Sequence, residues 1–164
     1  MSARRPAGQQ PHTQTPAVLA LEAAGVSFVT HEYEHDDQTH DFGSEAAALL
    51  AVDAECIYKT LMVELDGTTA QLAVGIVPVS GRLDVKAIAR AAGAKRARMA
   101  DPALAERKSG YVVGGISPLG QKTRLPTFLD AGAQRHESIL VSGGRRGFDI
   151  ELAPDDLIDV LGAH

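Results

Sequence analysis

The chain of 164 residues has one cysteine, Cys56, no tryptophan, and only three tyrosines and four phenylalanines. A single cysteine excludes an intramolecular disulfide and a zinc site built from several cysteines. So few rings imply a core of Ala, Val, Leu and Ile, and argue against recognition of RNA by stacking many bases on aromatic side chains. No apolar run approaches the roughly 20 residues that a bilayer-spanning helix needs. The first 14 residues, Met1 to Gln14, carry Arg4, Arg5, Pro6 and Pro11 and lack the apolar stretch of a secretory signal. They are expected to form a disordered tail. With the lone cysteine, this points to a reducing cytoplasm. The remaining residues, 15–164, are expected to form one domain. An apolar fraction of 45 % against 23 % charged residues is that of a globular chain and excludes disorder throughout.

The net charge of −5 conceals an asymmetry. Between Ser80 and Pro126 ten basic residues stand against three acidic ones, a local net of +7 that leaves −12 for the rest. A basic stretch in an acidic protein is either a footprint for phosphate or a solvated helical face.

Local signals divide the chain into alternating elements. Thr15-Pro16 opens a helix that Gly25 closes, with Val18, Leu19 and Leu21 on its apolar side. Residues 26–33 are β-branched and aromatic and read as a strand. Ser44-Glu45 starts a second helix. The apolar runs 57–65 and 70–79 flank Asp66-Gly67, a strong hairpin signal. Asp84 and Asp101-Pro102 start helices that end at Gly93 and Gly110. Short strands are expected at 111–113, 127–129, 138–141 and 148–152, and Pro154 opens a last helix. Hairpins outnumber crossover helices. The expected architecture is α/β, with a mixed, largely antiparallel, barrel-like sheet flanked by helices.

His31-Glu32-Tyr33-Glu34-His35 matches H-E-x-x-H, whose two histidines bind zinc when helical. Here the motif continues a strand, where the histidines would lie about 13 Å apart, too far for one metal. Neither His40 nor Asp41 is an obvious further ligand, and no metal or cofactor is expected. Alternation along 57–65 puts Lys59 on the more apolar face, so it either snorkels at a sheet edge or lines a pocket. In a pocket it supplies a cation for a phosphate, a carboxylate or a developing oxyanion. Gly114-Gly115 permits either close approach of a ligand to the backbone or a tight bulge. In Ser142-Gly143-Gly144-Arg145-Arg146-Gly147 the arginines either meet phosphate or decorate a turn. Cys56 reads as a small packed thiol. Alternation places Asp149 and Glu151 on the polar face of their strand.

Four stretches taken together, residues 31–36, 57–61, 110–122 and 141–152, resemble the YbaK type of aminoacyl-tRNA deacylase. These are free-standing relatives of the editing insertion domain of bacterial prolyl-tRNA synthetases. The resemblance runs from about Thr15 to the C-terminus. It implies trans-editing in the cytoplasm: removal of cysteine wrongly attached to tRNA(Pro), alongside prolyl-tRNA synthetase. By similarity the family's lysine falls on Lys59, and Tyr33, Phe42, Thr60, Gly114, Ser142 and Asp149 line the same pocket. Lys59 and backbone N–H groups near Gly114-Gly115 would stabilise charge, and Asp149 would pair with the substrate ammonium. The resemblance further implies that the substrate's own thiol attacks its ester, so positioning replaces a protein nucleophile. The basic stretch then acquires a role on the tRNA backbone, through Arg90, Lys95, Arg96 and Arg98. Two other readings stay open: an Ala-tRNA(Pro) deacylase that uses water, and a tRNA- or synthetase-binding module without activity.

Overall fold

The computed structural model describes residues 14–36, 38, 39 and 41–164. The expected tail, Gln14 apart, lies outside the described residues. Helix α1 (Pro16–Ala24) begins at Thr15, whose side chain accepts from the Val18 N–H, and ends on left-handed Gly25. It buries Ala17, Val18 and Leu21, while Leu19, expected on the same side, is half exposed. Strand β1 (Val29–Glu32) is shorter than expected. Helix α2 (Phe42–Leu50) starts ahead of Ser44 because the Asp41 side chain accepts from the Ser44 N–H and caps it. Strands β2 (Tyr58–Asp66) and β3 (Leu72–Pro78) form the expected hairpin. Then come α3 (Val85–Ala91), β4 (Arg96–Met99), α4 (Pro102–Ser109), β5 (Thr127–Leu129), β6 (Ile139–Arg145), β7 (Phe148–Leu152) and α5 (Pro154–Leu161).

Two expectations are corrected. Residues 111–113 are not a strand. The Tyr111 N–H bonds the Ser109 hydroxyl, its phenol donates to the Leu119 carbonyl at 2.6 Å, and the Gly115 N–H closes a turn on the Val112 carbonyl. These bonds hold the segment as a loop, and β propensity alone cannot make a strand without a partner. Conversely, Arg96–Met99, part of the basic stretch offered as a helical face, is an edge strand antiparallel to β2.

The strands form two sheets rather than one closed barrel. One runs β1-β7-β6 and the other β4-β2-β3-β5, with β3 and β5 the parallel pair. Among the described residues a single parallel bridge, Ile57 to Leu140, links them. A common core fastens the two: Leu21 of α1, Tyr58 and Ile76 of one sheet, Ile139, Phe148 and Ile150 of the other, and Leu157 of α5. Helix α3 packs Ile88 on the far side of the hairpin, against Val63, Leu65 and Ala73. Because β4 pairs only with Val63–Asp66, the edge of β2 over Tyr58–Met62 is left without a β4 partner. A seam opens there between the sheets. Ala46, Ile57 and Leu140 close part of it, with Tyr33 and Val79 against them.

Candidate active site

The seam holds a cavity of about 350 Å3, the size of a small-molecule site. Lys59 and Thr60 of β2, Phe42 of α2, Ser142 of β6, Asp149 of β7, Gly114 and Tyr33 all line it. Gly115 does not. Its N–H is used in the turn to Val112, and a Cβ there would lie 2.7 Å from the Arg145 Cα. Glycine at 115 lets two backbones meet, and of the glycine pair Gly114 alone lines the cavity. Gly114 has φ +89°, and a Cβ would stand 2.7 Å from the Phe42 ring. The bare Cα is what brings that ring against the turn.

Lys59 is half-buried, and its Nζ donates to the Gly81 carbonyl at 2.8 Å. An ammonium has three N–H groups, so two remain for a ligand. The Thr60 hydroxyl oxygen is buried and has no hydrogen-bond partner among the described residues. Leu65 N–H bonds Gln71 and Val79 N–H bonds the Ile57 carbonyl, which turns the main-chain groups of the odd-numbered residues of β2 towards β3. By the antiparallel alternation, Thr60 presents its N–H to the opposite edge, where the cavity lies.

Asp149 sits between His31 and Ser142 in the sheet register and is 6 % exposed. Burial pushes its carboxyl up to about 7. Among the described residues it has neither a cation nor a hydrogen bond. The alternation expected of this strand holds, since Phe148, Ile150 and Leu152 point into the core. The opposite face is nevertheless not solvent at Asp149: it is the wall of the cavity. Burial, then the charges of Asp149 and Glu45, raises the Tyr33 phenol, which therefore stays a neutral donor.

The two histidines of His31–His35 go to separate carboxylates. His31 Nε2 lies 2.8 Å from Glu151 Oε1, and His35 Nδ1 lies 2.6 Å from Glu45 Oε1. Asp41 caps α2, and His40 lies outside the described residues. Among the described residues no three His, Cys, Asp or Glu side chains are grouped as metal ligands. Cys56 lies off the cavity. Its Sγ is 3.4 Å from His136 Nδ1, a neighbour eighty residues away in the chain, and burial pushes the thiol up.

The four cations expected on tRNA are all exposed but not equivalent. Arg98 is held by Glu64 at 2.8 Å and Asp66 at 3.1 Å. Arg90 lies in the last turn of α3, Lys95 follows the helix, and Arg96 stands on β4. Strand β4 leads directly into Met99 and Ala100 of the cavity wall. Met99 and the α4 residues Pro102 and Ala105 are lining residues the sequence reading missed. The alternation Arg-Ala-Arg-Met was the available signal for the strand that carries Met99.

A family model described as an aminoacyl-tRNA editing domain matches residues 36–160. A protein of Enterococcus faecalis (strain ATCC 700802 / V583), EbsC, named as a candidate Cys-tRNA(Pro)/Cys-tRNA(Cys) deacylase, is 33 % identical over 147 residues, covering 90 % of this chain and 88 % of its own. Among solved structures, a candidate trans-editing enzyme for prolyl tRNA synthetase superposes with a TM-score of 0.78 at 24 % identity, over 96 % of each chain. The hypothetical protein APE2540 gives 0.80 at 25 %, over 91 % of this chain and 95 % of its own.

Proposed function

Because this chain belongs to the aminoacyl-tRNA editing domain family, we propose that it is a trans-editing deacylase that removes cysteine from tRNA(Pro) in the cytoplasm, alongside prolyl-tRNA synthetase. The observation that carries this reading is the convergence of Lys59, Thr60, Gly114 and Asp149 on one cavity in the seam. The bond to be broken is the ester between the amino acid and the terminal ribose. Asp149, buried and without a cation among the described residues, attracts the substrate ammonium. That contact turns the ester carbonyl towards the Lys59 ammonium and the main-chain N–H groups of Thr60 and Gly114, which stabilise the developing oxyanion. The substrate thiol attacks its own carbonyl carbon. A C–S bond forms, the C–O bond to the ribose breaks, and the thiol proton ends on the ribose oxygen. The products are tRNA and a cyclic thiolactone. Intramolecular attack makes positioning sufficient, consistent with a cavity whose lining, among the described residues, includes no Cys or His side chain.

The test is deacylation of Cys-tRNA(Pro) against Ala-tRNA(Pro). Loss of cysteine at least tenfold faster than alanine is expected. Equal rates would move the chemistry to water, and no turnover of either would leave a binding module.

The tRNA backbone is proposed to follow the exposed cations Arg90, Lys95 and Arg96 towards the cavity. Replacing these three with glutamine is expected to weaken tRNA binding at low salt. It should also flatten the log–log salt dependence of the affinity by about 2–3. Arg98→Gln, whose cation is already paired, is expected to change the slope by less than any one of the three. A triple variant with unaltered slope would take tRNA off this surface.

A further inference from the structure

The turn between β6 and β7 carries two adjacent arginines with different fates. Arg145 is neutralised: its Nη2 lies 2.7 Å from Glu32 Oε1, and its guanidinium packs 4.7 Å from the Phe148 ring centre. Arg146 has no carboxylate partner among the described residues, yet it is not loose. Its Nε donates to the Val113 carbonyl at 2.8 Å, and its guanidinium lies 5.0 Å over the Phe42 ring. Phe42 and Val113 both line the cavity, and Gly114 follows Val113 in the turn. The N–H of Val113 is itself held by Glu106 at 2.8 Å, so this turn is fixed on both its N–H and its C=O. Stacking on Phe42 and one hydrogen bond thus hold a full positive charge at the cavity rim, with no partner for the terminal Nη donors among the described residues. A guanidinium offers five N–H groups in a rigid fork that suits a phosphate, and among the described residues only Nε is engaged.

We propose that Arg146 binds a phosphate of the polynucleotide whose terminal ester enters the cavity, and thereby sets how deep the ester sits. This rests on the deacylase reading above and deepens it. The nearest phosphate is that of the terminal nucleotide itself. Arg146 acts as a specificity-determining contact that distinguishes an aminoacylated nucleotide from an aminoacylated nucleoside.

The experiment compares the cysteinyl ester of adenosine, which has no phosphate, with Cys-tRNA(Pro), using wild type and Arg146→Gln. The ratio of kcat/KM between tRNA and nucleoside ester is expected to fall about tenfold or more in the variant, the loss of a charge-assisted contact. An unchanged ratio overturns the proposal, whether both rates fall together, as for a brace of Phe42, or neither falls. If Arg146→Gln melts too low to assay, Arg146→Lys carries the same comparison, with a smaller fall in the ratio expected and an unchanged ratio again decisive. If wild type cleaves neither substrate, the deacylase reading fails by itself. Filter binding of uncharged tRNA then decides the anion site: Arg146→Gln raising Kd about fivefold supports it, and an equal Kd overturns it.

Discussion

Lys59→Ala is expected to reduce kcat/KM on Cys-tRNA(Pro) by about 10²–10³-fold, mostly in kcat, the scale seen when one donor to a developing oxyanion is removed. The side chain is half-buried and, among the described residues, makes one hydrogen bond, to the Gly81 carbonyl. Losing that bond should cost only about 0.5–1.5 kcal/mol of stability, so the variant folds and can be assayed. Lys59→Arg keeps the charge but brings a planar fork where a compact ammonium donated, and should recover only a fraction of the rate. Single-turnover deacylation with a thermal melt beside it reads both quantities. A rise in KM with kcat intact would make Lys59 a ground-state anchor instead of an oxyanion donor.

Asp149→Asn is expected to abolish useful activity while stabilising the protein at alkaline pH. The carboxyl is pushed up to about 7 by burial, from an ordinary value of 3.8. Its folded-state value is raised, so between roughly pH 4 and 7 the folded protein keeps a proton that the unfolded chain gives up. Stability therefore falls as pH rises through this window and stays low above it. The span corresponds to on the order of 4 kcal/mol. The asparagine amide, also short of partners, offsets about 1–2 kcal/mol of the gain. At pH 8 the variant should melt about 5–10 °C above wild type, and near pH 4, where only the cost of the amide remains, about 2–8 °C below it. Wild-type kcat/KM should climb as Asp149 ionises near pH 7, because only the carboxylate pairs with a substrate ammonium. A variant that melts lower than wild type at pH 8 would show that the carboxylate is held by structure rather than kept for a ligand.

These two residues also show where the sequence was informative. Lys59 stood out because a cation on the apolar face of an alternating strand has few explanations. Asp149 did not stand out from its strand, since alternation assigns it a polar face without saying what that face meets. Only the pairing of β7 between β1 and β6, beside the seam, turns that face into a cavity wall. The caps at Thr15, Asp84 and Asp101 were legible because the side chain that starts a helix is local to it. Strand β4 and the loop at 111–113 were not, because both depend on whether a distant partner exists. Gly115 was expected to bring its backbone against a ligand; a Cβ there would instead meet the backbone of Arg145. The contact of Arg146 with Phe42 and Val113 joins three parts of the chain, and no spacing rule finds it.

The seam has a consequence for how such a cavity changes over time. Neither sheet owns the space: β2 supplies one wall, β6 and β7 another, and one bridge between Ile57 and Leu140 registers them. Its width is set by how closely the shared core draws the sheets together, at residues such as Leu119, Ile139 and Ile150 that do not line the cavity. A methylene gained or lost there moves one wall against the other, because a close-packed interior transmits volume changes instead of absorbing them. On the proposed reading, tolerance for a larger or smaller aminoacyl group can therefore drift through conservative core replacements, while Lys59 and Asp149, and the chemistry proposed for them, stay untouched.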